Sequence, residues 1–268
     1  MRNLFRKLVN FKSLLNASPF SLINSKFIKA GEDVSDFFAF RLDGFETIFV
    51  AENNLALLIG RHIECTHLFN FFSVDGVPCG SIVVEDDKFS YRLEINESIT
   101  NGREVGGFTH HIEYPDMVLD KYSELLSDIS FQHRGYTGFR RSKDFGYSYM
   151  HGNFGGLYYD KKNRLKSLAR LRVKHIYTPQ LVIKSDYGYD FLFSNPTNQS
   201  VTIKFFVINR NSSKAVEKAL LMPYSTYKMT LSSSSISNDC NISWETNFPI
   251  GRCIIFEYNS DFFDVFHS

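Results

Sequence analysis

The chain has 268 residues, a net charge of +1, 43% hydrophobic residues and 22% charged residues. This composition excludes a disordered chain and gives no general attraction to nucleic acid, so no nucleic-acid partner is expected. Aromatic residues reach 16%, which favours β-sheets because flat rings pack well on a pleated surface. The 4 cysteines form no CxxC pair, so we predict reduced thiols rather than a disulfide scaffold.

Residues 1–31 form a basic segment, with no acidic residue before Glu32. Its apolar residues recur at helical spacing, namely at Leu4, Phe5, Leu8, Phe11, Leu14 and Leu15. Such a basic amphipathic helix can bind an anionic membrane surface, or it can pack across a β-sandwich. Its Arg, Ser and Asn content also resembles an organellar transit peptide. We expect a cytoplasmic protein, with peripheral membrane association through this N-terminal helix as one of the two alternatives.

The residues that follow predict short strands. Residues 44–59 are interpreted as two strands around an Asn-Asn turn, and Asp75-Gly76 as a hairpin turn between strands 67–74 and 81–84. Residues 88–95 alternate, with the apolar side chains on one face, and 108–114 form a further strand. A helical turn is predicted over residues 117–126, a loop over 135–156 and a hairpin over 157–177.

Seven further strands follow at a spacing of roughly ten residues, which is typical of an antiparallel sandwich. They are predicted at 180–184, 189–194, 200–209, 215–221, 225–231, 241–246 and 252–258. Residues 58–72 align with 192–206 and share Phe-Phe at the end, Tyr91-x-Leu93-x-Ile95 aligns with Tyr227-x-Met229-x-Leu231, and Glu113-Tyr114 aligns with Glu257-Tyr258. This similarity indicates an old duplication.

We therefore predict an all-β fold with two tandem antiparallel β-sandwich modules. The predicted units are the N-terminal segment 1–31, a first module over 32–136, a Gly- and Tyr-rich connector with a hairpin over 137–177, and a second module over 178–268.

The second module carries Asn195-Pro196, the strand 225–231 and Thr246-Asn247-Phe248-Pro249-Ile250. In these motifs it resembles the small β-sandwich of microbial sensory-rhodopsin transducers, with Thr246 in place of a serine. The likeness covers about 75 residues, and its motifs form turns, so they concern fold more than activity. The resemblance implies a binding or adaptor sandwich, often oligomeric, whose relatives have been suggested to bind sugars or DNA. The first module lacks the Asn-Pro and Asn-x-Pro-Ile turns.

Complete catalytic and metal-binding signatures are missing from the sequence. Neither HExxH nor a double CxxC occurs, and no Gly-x-Ser-x-Gly, P-loop or dinucleotide fingerprint is found. His62 and His67 flank Glu64 and Cys65, but a strand would point the two imidazoles to opposite faces. No metal site and no cofactor are therefore predicted.

The connector is the stretch best suited to bind a ligand, because tyrosines stack on sugar rings and the side chains of Arg, Asn and His form hydrogen bonds with hydroxyls. A structural linker whose tyrosines pack on both modules is the alternative. The candidate ligand-binding residues are His133, Arg134, Tyr136, His151, Asn153 and Tyr158. A basic patch is predicted on one strand face. It can attract phosphate, an acidic polysaccharide or nucleic acid through its charge, or else be a solvated face. It comprises Lys166, Arg170, Arg172 and Lys174.

Three functional hypotheses follow from these observations. The first is a non-enzymatic tandem β-sandwich that binds a carbohydrate or a cell-envelope or polysaccharide partner. The second is an enzyme that acts on a sugar or nucleotide-sugar, with His133 or His151 as acid/base. The third is a signalling or structural adaptor that self-associates into a homo-oligomer through its sheet edges.

Overall fold

The computed structural model describes residues 33–126, 132–133, 135–159, 165–167, 175–209, 212–231, 239–247 and 252–267. The predicted N-terminal helix over 1–31 lies outside these residues. Within the described ranges, each helix is too short or too polar to cross a membrane.

The first part of the chain forms two sheets that face each other. Its elements are β1 (Asp33–Arg41), β2 (Glu46–Glu52), α1 (Asn54–Ile59), β3 (Cys65–Ser73), β4 (Pro78–Asp86), β5 (Ser90–Ile95), β6 (Val105–Glu113), α2 (Asp116–Lys121), α3 (Ser123–Leu126), β7 (Gln132–His133), β8 (Gly135–Arg140), β9 (Ser148–His151), β10 (Asn153–Tyr159) and β11 (Leu165–Ser167). Sheet A has the strand order β11-β10-β1-β6-β3-β4, with β7 beside β1, and sheet B has the order β5-β2-β8-β9. The short β1–β7 pairing is parallel, whereas the strands of sheet B pair antiparallel.

The second part of the chain also forms two facing sheets. Its strands are β12 (His175–Tyr177), β13 (Val182–Ile183), β14 (Gly188–Ser194), β15 (Val201–Asn209), β16 (Ser212–Leu221), β17 (Thr226–Leu231), β18 (Cys240–Thr246), β19 (Ile254–Tyr258) and β20 (Phe263–His267). Sheet C has the order β12-β18-β15-β16, with β13 beside β18, and sheet D has the order β17-β14-β19-β20. The seven strands predicted here are confirmed. β12 falls within the hairpin predicted over 157–177, and β20 was not predicted.

Aromatic side chains fill the space between the paired sheets. In the first sandwich the ring of Phe49 lies 4.7 Å from that of Phe38 and 5.2 Å from that of Phe108. In the second, Trp244 packs against Phe193 and Phe205 at centroid distances of 5.5 and 6.0 Å. Offset and edge-to-face rings add to the energy of apolar burial. The predicted all-β sandwich architecture is confirmed.

The two sandwiches share one strand order. The order β1-β6-β3-β4 corresponds to β12-β18-β15-β16, and β5-β2-β8-β9 corresponds to β17-β14-β19-β20. The pairing register also shifts between Phe71 and Phe72 in β3 and between Phe205 and Phe206 in β15. A β-bulge at the same point of the same strand supports the predicted duplication, because bulges are specific features of a fold.

Parts of the internal alignment are wrong at the level of single residues. Leu58 lies in α1, whereas Leu192 lies in β14. Glu113 lies on β6, whereas Glu257 lies on β19, the counterpart of β8. The connection between β2 and β3 contains a helix, but that between β14 and β15 is a short turn, so a gapless alignment holds at the Phe-Phe end and fails before it.

Two predicted elements of the first part also differ from the structure. Residues 54–59 form a helix rather than a strand, because the Asn53 side chain caps Ala56 N and Gly60 ends the helix at φ +72°. The stretch 135–156, predicted as a loop, contributes β8, β9 and β10 to sheets A and B. Glycines there are tolerated because rings lie over them, such as Phe49 on Gly135. The predicted helical turn at 117–126 is confirmed as α2 and α3.

The outer face of sheet D packs against the first sandwich. Its apolar side chains, including Leu192 and Phe256, form a cluster with Ala39, Phe45 and Phe139 of the first sandwich. The Phe256 ring lies 5.2 Å from Phe45 and 5.0 Å from Phe139. Sheet D is thus buried on both faces, and this contact leaves the outer face of sheet B open to solvent.

Candidate functional site

The structure describes the predicted ligand-binding residues only in part. Tyr136 on β8 and His151 on β9 are direct cross-strand partners, so they lie side by side on sheet B. His133, Asn153 and Tyr158 are placed by their backbones on β7 and β10 of sheet A, but their side chains, like all of Arg134, lie outside the described part. The hypothesis that His133 or His151 acts as an acid/base stays a prediction.

The predicted basic patch lies largely outside the described residues. Lys166 is on β11, where its backbone pairs with Tyr158. Arg170, Arg172 and Lys174 are outside the described ranges. The idea that these four residues share one strand face stays a prediction.

A tyrosine ring lies over Gly138 on the solvent-facing side of sheet B. A Cβ added to Gly138 would stand 2.9 Å from Cε1 of Tyr149 and 2.9 Å from Cγ1 of Ile48. The glycine therefore provides the space in which the Tyr149 ring rests on the strand. Tyr149 stays 50% exposed, and Tyr136 on the same face is 48% exposed. An exposed flat ring supported from below can stack on an apolar ligand face.

A cleft of about 500 Å³ opens at one end of this face. Tyr147 lies in it between two guanidinium groups, with Arg140 Cζ 4.5 Å and Arg92 Cζ 5.6 Å from its ring centroid. The Tyr147 hydroxyl donates to Glu46 Oε2 at 3.0 Å, and Arg140 forms an ion pair with the same carboxylate. Glu94 and Glu97 also line the cleft. The site thus offers cation–π contacts, guanidinium donors and carboxylate acceptors.

The ionisation of these groups follows from their hydrogen bonds. The bond from Arg140 lowers the pKa of the Glu46 carboxyl, and the same bond raises the pKa of Arg140. Burial, followed by the bond to Glu46, raises the pKa of Tyr147. At neutral pH the carboxylate and guanidinium are charged and the phenol is neutral, so the cleft holds fixed acceptors and donors for a polar ligand.

His151 has a partner that the sequence did not indicate. Its ring lies 4.5 Å from that of His267 on β20, and His267 Nε2 lies 3.0 Å from the His151 carbonyl oxygen. Burial is the main reason that the pKa of His267 falls to about 4. The two histidines therefore connect sheet B to sheet D. His151 Nδ1 lies 3.0 Å from the Gly152 carbonyl oxygen.

A second group of histidines lies inside the first sandwich. His67 Nδ1 and His110 Nε2 are 2.9 Å apart, and His67 Nε2 lies 3.5 Å from Cys65 Sγ. Burial raises the pKa of the Cys65 thiol to about 12, so this thiol is not an activated nucleophile. His62, by contrast, is exposed. This chain of contacts is internal to the core, and none of its residues lines the cleft on sheet B.

Within the described ranges no group of three or more His, Cys, Asp or Glu side chains is arranged to hold a metal ion.

The sequence analysis missed most residues of the cleft. The alternation over 88–95 puts Leu93 and Ile95 in the core and therefore Arg92 and Glu94 on the opposite face. For these two cleft residues, the sequence pattern did indicate the correct face. Glu46, Arg140 and Tyr147 join them because β5, β2 and β8 are neighbours in sheet B. That neighbour order was not visible in the local pattern.

No family model and no curated protein match the chain. Three solved structures show slight similarity: a β-glucuronidase from glycoside hydrolase family 2 (9% identity, TM-score 0.17), infectious bursal disease virus Gx strain (10%, 0.15) and a putative β-galactosidase from Bacteroides fragilis (9%, 0.16). They cover 87%, 87% and 90% of this chain, which spans 23%, 55% and 33% of theirs. At these TM-scores the similarity does not indicate a shared function.

Proposed function

We propose that this chain is a non-enzymatic binding protein that holds a carbohydrate on the outer face of sheet B. The ligand stacks a sugar ring on Tyr149 and directs its hydroxyls toward the cleft of Arg92, Arg140 and Glu46. The observation that carries the proposal is the ring of Tyr149, supported on Gly138 and half exposed beside charged hydrogen-bonding groups.

The chemistry of this surface suits a sugar better than a purely apolar or purely ionic ligand. A sugar ring has an apolar face that stacks on an aromatic ring, and hydroxyls that bond in and around its plane. Arg140 and Glu46 are already paired, so their orientation is fixed before a ligand arrives. Carboxylates accept hydrogen bonds and guanidinium groups donate them. Both groups are present, which suits sugar hydroxyls because a hydroxyl can donate and accept a hydrogen bond.

The proposal is tested by affinity gel electrophoresis of the full chain. The gels contain laminarin, galactomannan, xylan or pullulan, and alginate serves as the acidic polysaccharide. We expect retarded migration on at least one gel. Tyr149→Ala should weaken that binding by about tenfold, since it removes the stacking surface.

Two variants serve as matched controls. Tyr149→Phe keeps the ring and should keep the retardation. Val83→Ala shortens an apolar side chain that is 66% exposed on β4 of the opposite sheet, and it should also keep the retardation. Unretarded migration on all five gels, or retardation unaffected by Tyr149→Ala, would overturn the proposal.

A further inference from the structure

The end of the first sandwich that lies away from the second carries a cap of three short helices, α1, α2 and α3. Leu55 and Ala56 are fully buried in the cap, in a cluster with Val118 and Tyr122. Other apolar side chains of the same helices remain exposed: Leu57, Leu58, Met117, Leu119 and Leu125. Met117 is 75% exposed. Exposed apolar side chains on adjoining short helices can form an interaction surface.

The surroundings of this helical cap are acidic. The stretch 113–126 contains Glu113, Asp116, Asp120 and Glu124 against one basic residue, Lys121. The end of β4 and the turn after it, at the same end of the sandwich, contain Glu85, Asp86 and Asp87 against Lys88, and Arg61 follows α1. A partner for the helical cap should therefore be apolar on one face and basic around it. An anionic membrane surface would be repelled.

The chain itself carries a segment with these properties close to the helical cap. Residues 1–31 contain six basic residues and no acidic one, and residues 4–15 have apolar side chains at helical spacing. The described chain starts at Asp33, and β1 runs antiparallel to β6, with Ser35 Oγ donating to the His110 carbonyl at 2.7 Å. The start of β1 thus lies beside the end of β6, from which α2 follows. Residues 16–32 can span up to about 55 Å when extended.

We propose that residues 2–15 dock as an amphipathic helix on the helical cap formed by α1, α2 and α3. Its apolar residues cover the exposed leucines and Met117, and its lysines and arginines face the acidic rim. This docking surface is separate from the glycan face of sheet B and does not depend on the proposed function.

Zero-length cross-linking of the full chain with a carbodiimide, followed by mass spectrometry, tests this proposal. We expect Lys7 or Lys12 to be joined to Asp116, Asp120 or Glu124. Mixing isotopically light and heavy chains distinguishes links within one chain from links between two copies. Leu8→Asp should lower the yield of these links by about tenfold, since it places a charge in the apolar contact. Met117→Asp should do the same from the other side.

Ser13→Asp is the matched control, because it adds the same charge on the face of the helix opposite Leu8, and its cross-links should remain. Links that join light chains to heavy chains would overturn docking within one chain in favour of a second copy. Sedimentation with phosphatidylglycerol vesicles that is lost in Leu8→Asp, together with missing links to the cap, would overturn it in favour of a membrane. Missing links without vesicle binding would also overturn it.

Discussion

Asn53 and Asn195 occupy equivalent positions in the two sandwiches and make equivalent hydrogen bonds. The backbone N–H of Asn53 donates to Phe89 O at 2.9 Å, and that of Asn195 donates to Ser225 O at 2.8 Å. In each case the acceptor residue immediately precedes the strand that pairs with the strand before the asparagine. Both side chains are fully buried. The internal duplication therefore includes a buried, hydrogen-bonded asparagine directly after β2 and after its counterpart β14.

Each asparagine side chain holds the connection to the following strand. Asn53 Nδ2 donates to Ile63 O at 2.8 Å, and Asn195 Nδ2 donates to Gln199 O at 2.7 Å. Asn195 also donates to Met222 O at 2.8 Å. We expect Asn53→Ala and Asn195→Ala each to lower the free energy of unfolding by about 2–3 kcal/mol, because buried backbone groups lose their partners. Urea denaturation measures this change.

Asn198 provides a control in the same turn as Asn195, because its side chain is exposed. Asn198→Ala should change the free energy of unfolding by less than about 0.5 kcal/mol. Equal effects of Asn195→Ala and Asn198→Ala would contradict the assigned role.

A buried ion pair joins the two sandwiches. Arg41 Nη2 lies 2.6 Å from Asp190 Oδ2, and the two side chains are 5% and 2% exposed. Thr230 and Tyr258 also donate to the Asp190 carboxylate, and the Arg41 guanidinium lies 3.9 Å from the Phe45 ring centroid. We expect Arg41→Met to lower the free energy of unfolding by about 3–5 kcal/mol, since it leaves Asp190 as an uncompensated buried charge. Urea denaturation followed by circular dichroism measures it.

The exposed pair of Arg92 and Glu94 is the matched control. Their side chains are separated by 3.8 Å in solvent, so Arg92→Met should cost at most about 1 kcal/mol. If Arg41→Met and Arg92→Met destabilise equally, the buried pair does not hold the two sandwiches together.

His267 should make stability depend on pH below neutrality. Burial, helped by His151 and Arg252, lowers its pKa to about 4, while backbone groups of His151 and Cys253 act in the opposite direction. The unfolded chain therefore takes up this proton first as the pH falls. The contribution of neutral His267 is complete above about pH 6.5 and is lost progressively down to about pH 4.

The variant His267→Gln should consequently show a smaller fall in Tm than the parent between pH 7 and pH 5. His62→Gln, which replaces an exposed histidine, should follow the parent. Parallel Tm profiles for the parent and His267→Gln would refute this assignment.

Gly138→Ala should displace the stacking surface without unfolding the protein. The new Cβ would meet the Tyr149 ring and Ile48 at 2.9 Å, and the exposed ring can move away. We expect polysaccharide retardation to fall by about tenfold, with a stability loss of about 1–3 kcal/mol. Gly146→Ala is the control, because a Cβ there meets nothing within 4 Å. Unchanged retardation in Gly138→Ala would show that the position of the Tyr149 ring is irrelevant to binding.

The sequence predicted those features that depend on local patterns. Alternation placed Leu93 and Met229 in the two cores, and Asp75-Gly76 forms the predicted turn, with Gly76 at φ +78°. Local patterns gave the wrong secondary structure where contacts with other residues decided it. Residues 54–59 were predicted as a strand, but the cap from Asn53 makes them a helix. The glycines of 135–156 suggested a loop, because the rings that cover them come from distant strands.

The amino-acid sequence by itself determined the all-β class and the repeated unit, because alternating apolar residues and turn residues act through neighbours along the chain. The tertiary structure decided which strands became neighbours, and so brought Glu46, Arg92 and Tyr147 together from β2, β5 and the segment before β9. It also decided which faces remained free. Sheet D buries its outer face against the first sandwich, whereas the outer face of sheet B, with Tyr136 and Tyr149 about half exposed, remains open to solvent.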